Sequence, residues 1–124
     1  RPAAQGRLRY GLSAFVIARE TEAEAQDEFA RLLSLSRRDE AIRADTRART
    51  DAASVMFAKT DAAAAHHVGT NGGTAAGLVG SYDGVAERIR AFHAAGIELF
   101  MLQFQPFEAE MARFAAQVFS RVKG

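Results

Sequence analysis

The amino-acid sequence predicts a parallel α/β fold. Short apolar runs rich in β-branched and aromatic residues are each followed by an amphipathic helical stretch, and the last strands are separated by crossovers of roughly twenty residues. Leu8 to Ala18 reads Leu-Arg-Tyr-Gly-Leu-Ser-Ala-Phe-Val-Ile-Ala, nearly continuously apolar toward its end, as in a strand buried on both faces. Thr21-Glu22-Ala23-Glu24 then forms a capping box, in which a threonine oxygen takes a free N–H at a helix start. Ala25, Phe29, Leu32 and Leu33 recur at helical spacing, so residues 8–35 form one strand–helix unit.

Residues 36–76 change character. Arg37, Arg38, Asp39, Glu40, Arg43, Asp45, Arg47 and Arg49 alternate in charge, and an alanine-rich stretch leads to Gly69-Thr70-Asn71-Gly72-Gly73. Helical pieces ending in a flexible loop are expected, and an insertion of this length between strands reads as a lid. Residues 77–124 hold two further units. Gly77-Leu78-Val79-Gly80 is a short strand, Ser81 caps a helix carrying Val85, Ile89 and Phe92 on one stripe, and Gly96 ends it. Ile97 to Phe104 reads as another buried strand, and after Pro106 one helix places Met111, Phe114, Ala115, Val118, Phe119 and Val122 on one face.

Composition excludes several functions. The 124 residues carry 16 basic and 15 acidic side chains, a net charge of +1, so no field of one sign is available to hold nucleic acid. With no cysteine there are no disulfides, thiolate nucleophiles or thiolate zinc sites, and redox chemistry requires a bound cofactor. No apolar run approaches the roughly 18 to 20 residues of a membrane helix, and Arg1 to Gly6 lacks a signal peptide's apolar stretch, so a soluble, cytoplasmic protein is expected. A start without methionine, entering a strand almost at once, suggests a piece of a longer polypeptide. Parallel strands expose two apolar faces unless helices cover both, so such a piece alone should be marginal or dependent on partners.

The chemistry-bearing residues are few. Ser13 and Phe15 share parity on their strand and either fill a core layer or line a site. Gln103 and Gln105 lie where a strand gives way to a loop, the end at which parallel α/β barrels do chemistry. Ser81 is a helix cap, and a capped N-terminus also attracts phosphate. The glycine-rich loop lacks both the Gly-x-Gly-x-x-Gly spacing and a following lysine, and Asn71-Gly72 is more simply a turn. His66 and His67 are adjacent with no ligand spacing around them, and His93 borders the apolar stripe of its helix, so no metal site is expected. The stretch from Arg37 to Arg49 has no aromatic residue for stacking bases and reads as a solvated helix face.

The run Gly-Thr-Asn-Gly-Gly-Thr-Ala-Ala-Gly-Leu-Val-Gly-Ser at 69–81, continued by Val85-Ala86-Glu87-Arg88-Ile89 and Ala95-Gly96-Ile97-Glu98-Leu99-Phe100, resembles the C-terminal end of the luciferase-like flavin monooxygenases. Met101-Leu102-Gln103-Phe104-Gln105-Pro106-Phe107-Glu108, with Leu12 to Glu24 and Ala48-Arg49-Thr50-Asp51, looks like the dimethyl sulfone monooxygenase branch. The resemblance implies the last three βα units of a TIM (β/α)8 barrel, with a long insertion before the penultimate strand. It also implies reduced FMN delivered by a separate NAD(P)H-dependent flavin reductase, O2 as co-substrate, and a homo-oligomer. Flavin phosphate contacts are implied to lie largely on earlier strands, with Ser81 a weak further contact. Alkanesulfonate relatives carry an arginine and a histidine two residues apart, a loop arginine, and a tyrosine before the final proline; here those positions fall on Ser13, Phe15, Asn71 and Gln105. A sulfonate anion calls for a guanidinium, whereas a neutral sulfone needs only amides and an aromatic wall. The expected catalytic set is thus Gln103, Gln105 and Asn71, donating to oxygens of the sulfone or the activated flavin, and Phe15, Phe104 and Ser13 would bind the substrate.

Two other readings stay open. One keeps the barrel but uses a deazaflavin (coenzyme F420-type) for hydride transfer. The other is a non-catalytic piece with a structural or oligomer-contact role.

Overall fold

A computed structural model describes residues 7–37, 68–69 and 73–123. The first strand is one extended run interrupted at Val16, with β1 at Tyr10–Phe15 and β2 at Ile17–Arg19. β1 pairs in parallel with β4 (Ile97–Gln103), from Tyr10↔Ile97 to Phe15↔Gln103. β2 pairs in parallel with β3 (Val79–Ser81). The interruption is where the run changes partner: the Val16 N–H donates to the Gln103 carbonyl and the Ile17 N–H to the Leu78 carbonyl, each at 3.0 Å. Successive N–H groups point to opposite edges of a strand, so β3 and β4 flank the first run on its two sides.

This order corrects one expectation. In a barrel each strand lies beside the next, yet here the last strand pairs with the first run rather than with β3. The crossover carrying α1 (Glu22–Arg37) runs one way across the sheet, and the one carrying α2 (Tyr82–Ala94) runs back. Right-handed crossovers in opposite directions put their helices on opposite faces. Two core clusters agree. Ala14, Val16 and Ala18 pack with Leu78, Val85, Ile89, Phe114 and Val118. Phe15, Ile17 and Val79 pack with Ala25 and Leu32 of α1. A strand apolar on alternate residues of both parities therefore has both faces covered, at about 1.5–3 kcal/mol for each large side chain withdrawn from water.

The caps are as expected. The Glu24 N–H donates to Thr21 Oγ1 at 3.2 Å, and the Gly84 N–H to Ser81 Oγ at 3.1 Å. Gly96, at φ +112°, follows the C-cap Ala95 and ends α2 in a conformation that side chains rarely adopt.

Two further expectations are corrected. β4 is not buried on both faces, because α1 packs chiefly on β2 and β3; Leu99 and Met101 remain 59% and 56% exposed. The terminal helix is broken into α3 (Phe107–Gln117) and α4 (Phe119–Lys123) at Val118, whose fully buried side chain anchors the bend. Phe114 sits 5.4 Å from both Phe104 and Phe119, centroid to centroid, and fills the space under that bend. Met111 and Phe119, placed by spacing on the buried face, are 43% and 53% exposed.

Candidate functional site

The strand order reverses between the first run and β4, and ligands of open parallel sheets bind in the crevice at the carboxyl ends beside such a reversal. Phe15 and Gln103 stand directly opposite in register there and share one face of the sheet. Gly69 lies on them. A Cβ at Gly69 would come within 2.8 Å of Phe15 Cδ2 and 3.0 Å of Gln103 Oε1, and its φ of +90° already favours glycine.

A local clasp holds Gly69 in place. The Val68 N–H donates to Thr74 Oγ1 at 2.9 Å, and the Thr74 N–H returns to the Val68 carbonyl, also at 2.9 Å. Thr74 is buried, and it belongs to the short 3-10 turn Gly73–Ala76 that leads into β3. Val68 packs against the cluster containing Phe15. Phe15, Gln103 and the start of the glycine-rich loop, widely separated in sequence, thus meet in one place.

The remaining expected site residues divide. Ser13 is half-buried two residues before Phe15, on the same face and opposite Met101. Asn71 lies outside the described residues, as do His66, His67 and Arg49. Gln105 is exposed beyond the end of β4. Phe104 is on the other face, in the cluster with Phe114, so it does not share a wall with Phe15. The reason is strand alternation: Phe104 is one residue past Gln103 and points the opposite way. His93 is exposed on α2, with Nδ1 3.2 Å from the Ile97 carbonyl.

Ser81 acts as a cap. Its hydroxyl is engaged by Gly84, and its own N–H donates to Glu22 Oε2 at 3.2 Å. Gly80 is packed against the same Glu22 carboxylate, where a Cβ would meet Oε2 at 2.6 Å. The Glu22 carboxylate thus lies at the positive end of α2, where its charge is favourable. The nearby guanidiniums are also engaged. Arg19 binds Glu110 at 2.6 Å, and Arg113 donates to the Tyr82 hydroxyl at 3.2 Å, the main reason its pKa lies above the ordinary arginine value.

The opposite face carries an apolar groove of about 1000 Å³ between α2 and α3–α4, floored by Phe100, Leu102 and Phe104 and edged by Arg90, His93 and Lys123. It is separated from Gln103 by the sheet. Among the described residues no group of three or more His, Asp or Glu could hold a metal, and no helix is long and apolar enough to cross a membrane.

Sequence reasoning missed Gly69, Thr74 and Glu22 as site-shaping residues. Thr74 was detectable only as a polar side chain among small ones, and Glu22 was absorbed in the capping box.

The arrangement defines a parallel α/β protein that presents an aromatic ring and a carboxamide at the carboxyl ends of paired strands. Residues 1–99 match the luciferase-like monooxygenase family, and the chain belongs to that family. Its members are oxidoreductases that generally use reduced flavin and O2, and the family implies the barrel fold. The matched span includes Phe15, Gly69, Thr74 and Ser81 and stops within β4, before Gln103.

Proposed function

We propose that the chain serves an FMN-dependent monooxygenase acting on a small neutral organosulfur compound, dimethyl sulfone being the best match. One observation supports this reading above the others: Phe15, Gly69 and Gln103, with Ser13 on the same face of its strand, form an uncharged constellation. An anionic sulfonate would forgo the charge-assisted hydrogen bonds that reward burying it. A sulfone needs a donor for each oxygen and an apolar wall for its methyl groups.

In this reading Gln103 Nε2 donates to a sulfone oxygen, Phe15 packs against a methyl group, and Gln105 and Asn71 are further donors. Reduced FMN, supplied by a separate reductase, provides two electrons. One oxygen atom of O2 enters a C–H bond next to sulfur and the other leaves as water; the hydroxymethyl sulfone then breaks its C–S bond to give methanesulfinate and formaldehyde. The residues of this chain orient the sulfone and exclude water from the reacting carbon. The flavin phosphate is held largely by earlier strands, with Ser81 a weak further contact, and the full-length enzyme is a homo-oligomer. Assays of the full-length protein with reduced FMN should give faster turnover of dimethyl sulfone than of methanesulfonate. The reverse preference would remove the proposal.

A further inference from the structure

We infer that the groove between α2 and α3–α4 is a binding site for a small aromatic anion, a ligand of several rings bearing a carboxylate or sulfonate. It lies on the face of the sheet away from Phe15, and the inference does not depend on the sulfone reading.

Residue size makes the groove. Its floor is Phe100, Leu102 and Phe104, while Ala94 on α2 and Ala112 and Ala115 on α3 are the small side chains that keep its banks apart. Toward its start α2 is tied to α4, where Arg121 Nε donates to Asp83 at 2.8 Å and Arg90 donates to the Arg121 carbonyl. The groove is therefore closed at that end. At about 1000 Å³ it suits a compact molecule better than a helix running through it.

Two features choose the ligand. Phe104 and Phe114 lie 5.4 Å apart at 58°, and Phe114 and Phe119 5.4 Å apart at 81°, so ring faces and edges alternate along the wall. A ring face is negative and its edge positive, so a further aromatic ring gains from such a wall what a saturated chain of equal area does not. The exposed Phe119 and Met111 leave that gain open to a ligand. The second feature is charge. Arg90 and His93 stand on one bank and Lys123 on the other, and no carboxylate is among the described residues that line the groove. Arg90 and Lys123 take part in no ion pair among the described residues, so an anion would gain charge-assisted hydrogen bonds from both. A saturated amphiphile satisfies the rim but not the wall, and a neutral aromatic satisfies the wall but not the rim.

The test uses three probes on the whole chain. Anilinonaphthalene sulfonate has both rings and charge, phenylnaphthylamine lacks the sulfonate, and decanesulfonate lacks the rings. Fluorescence titration should show saturable binding of the first, with decanesulfonate, read by displacement, about three- to tenfold weaker. Arg90→Gln with Lys123→Gln should weaken anilinonaphthalene sulfonate about fivefold and leave phenylnaphthylamine unchanged. In the chain labelled with ¹³C at its methionine methyls, assigned by Met101→Leu and Met111→Leu, the aromatic sulfonate should shift Met111, which lines the groove, and leave Met101 on the other face in place. Ala115→Trp fills the groove and should abolish both that shift and the saturable binding; should it not fold, Ala112→Leu takes its place. Absence of saturable binding, a shift at Met101 with Met111 unmoved, or binding that survives a filled groove in a folded variant would overturn the inference. So would decanesulfonate binding as tightly as the aromatic sulfonate, in favour of a lipid-like ligand, or an unchanged affinity in the charge variant.

Discussion

The Arg19 guanidinium donates to the Glu110 carboxylate at 2.6 Å, tying the last residue of β2 to the first turn of α3 across 91 positions of chain. Their side chains are only 14% and 8% exposed. Arg19 also donates to the Ala18 carbonyl at 2.9 Å, and Arg113 Nε approaches Glu110 Oε1 at 3.5 Å. The pair is shielded from solvent and well supplied with hydrogen bonds, conditions under which the loss of one partner matters most.

Replacing Glu110 with glutamine should therefore lower unfolding stability by about 3 kcal/mol, because Arg19 is left charged, buried and uncompensated. Urea denaturation followed by circular dichroism gives the value. The double replacement Arg19→Met with Glu110→Leu should recover most of the loss, since it removes both desolvation penalties. A single-variant loss below about 0.5 kcal/mol would show that the pair is surface-like in solution.

Two glycines separate backbone strain from steric conflict. Gly96→Ala meets nothing within 4 Å and suffers only its φ of +112°, so it should cost about 1–2 kcal/mol. Gly69→Ala adds contacts of 2.8 and 2.9 Å with Phe15 to a φ of +90° and should cost more. Thermal unfolding of the two variants side by side checks the order, and equal losses would show that the loop yields freely.

Acid should weaken the fold through Glu28 and Glu98. The hydrogen bond from Arg31 holds the Glu28 pKa below the ordinary glutamate value, and that from Arg9 does the same for Glu98. A depressed carboxylate pKa contributes stability that is fully present above the unfolded value, about 4.3, and is lost as pH falls through the folded value. Denaturation midpoints should thus hold steady down to about pH 5 and decline below about pH 4. In Glu28→Gln with Glu98→Gln the decline should be shallower; an identical slope would count against both pairs.

Burial separates the aromatic cluster from the β4 edge. Phe114→Ala removes a 5%-exposed ring that touches Phe104 and Phe119, and it should cost about 3–5 kcal/mol. Met101→Lys, at a position 56% exposed, should change stability by less than about 0.5 kcal/mol. It should also raise solubility, because a lysine on an edge strand discourages pairing with other chains. Chemical denaturation and light scattering read the two effects separately.

Much of the local structure was legible in residue order. Thr21 and Ser81 cap the helices they precede, Gly96 closes the one before it, and the apolar stretch ending at Ala18 does face two cores. The candidate site was legible in part: Phe15, Gln103 and Gly69 converge, whereas Phe104 turns away and Gln105 lies in solvent. The clasp at Thr74 was not visible, because a threonine in a run of small residues gives no sign of which backbone amide its hydroxyl will meet.

Periodicity and capping chemistry act over a few residues, so they specify the helices, the strands and which parity of a strand faces which side. They do not name the neighbour. An apolar residue is equally content against any apolar surface, and nothing in Ile97–Gln103 distinguishes pairing with β1 from pairing with β3. That choice, along with the meeting of Arg19 and Glu110 and the placing of Gly69 on Gln103, joins residues far apart in sequence, and only the assembled chain brings them together.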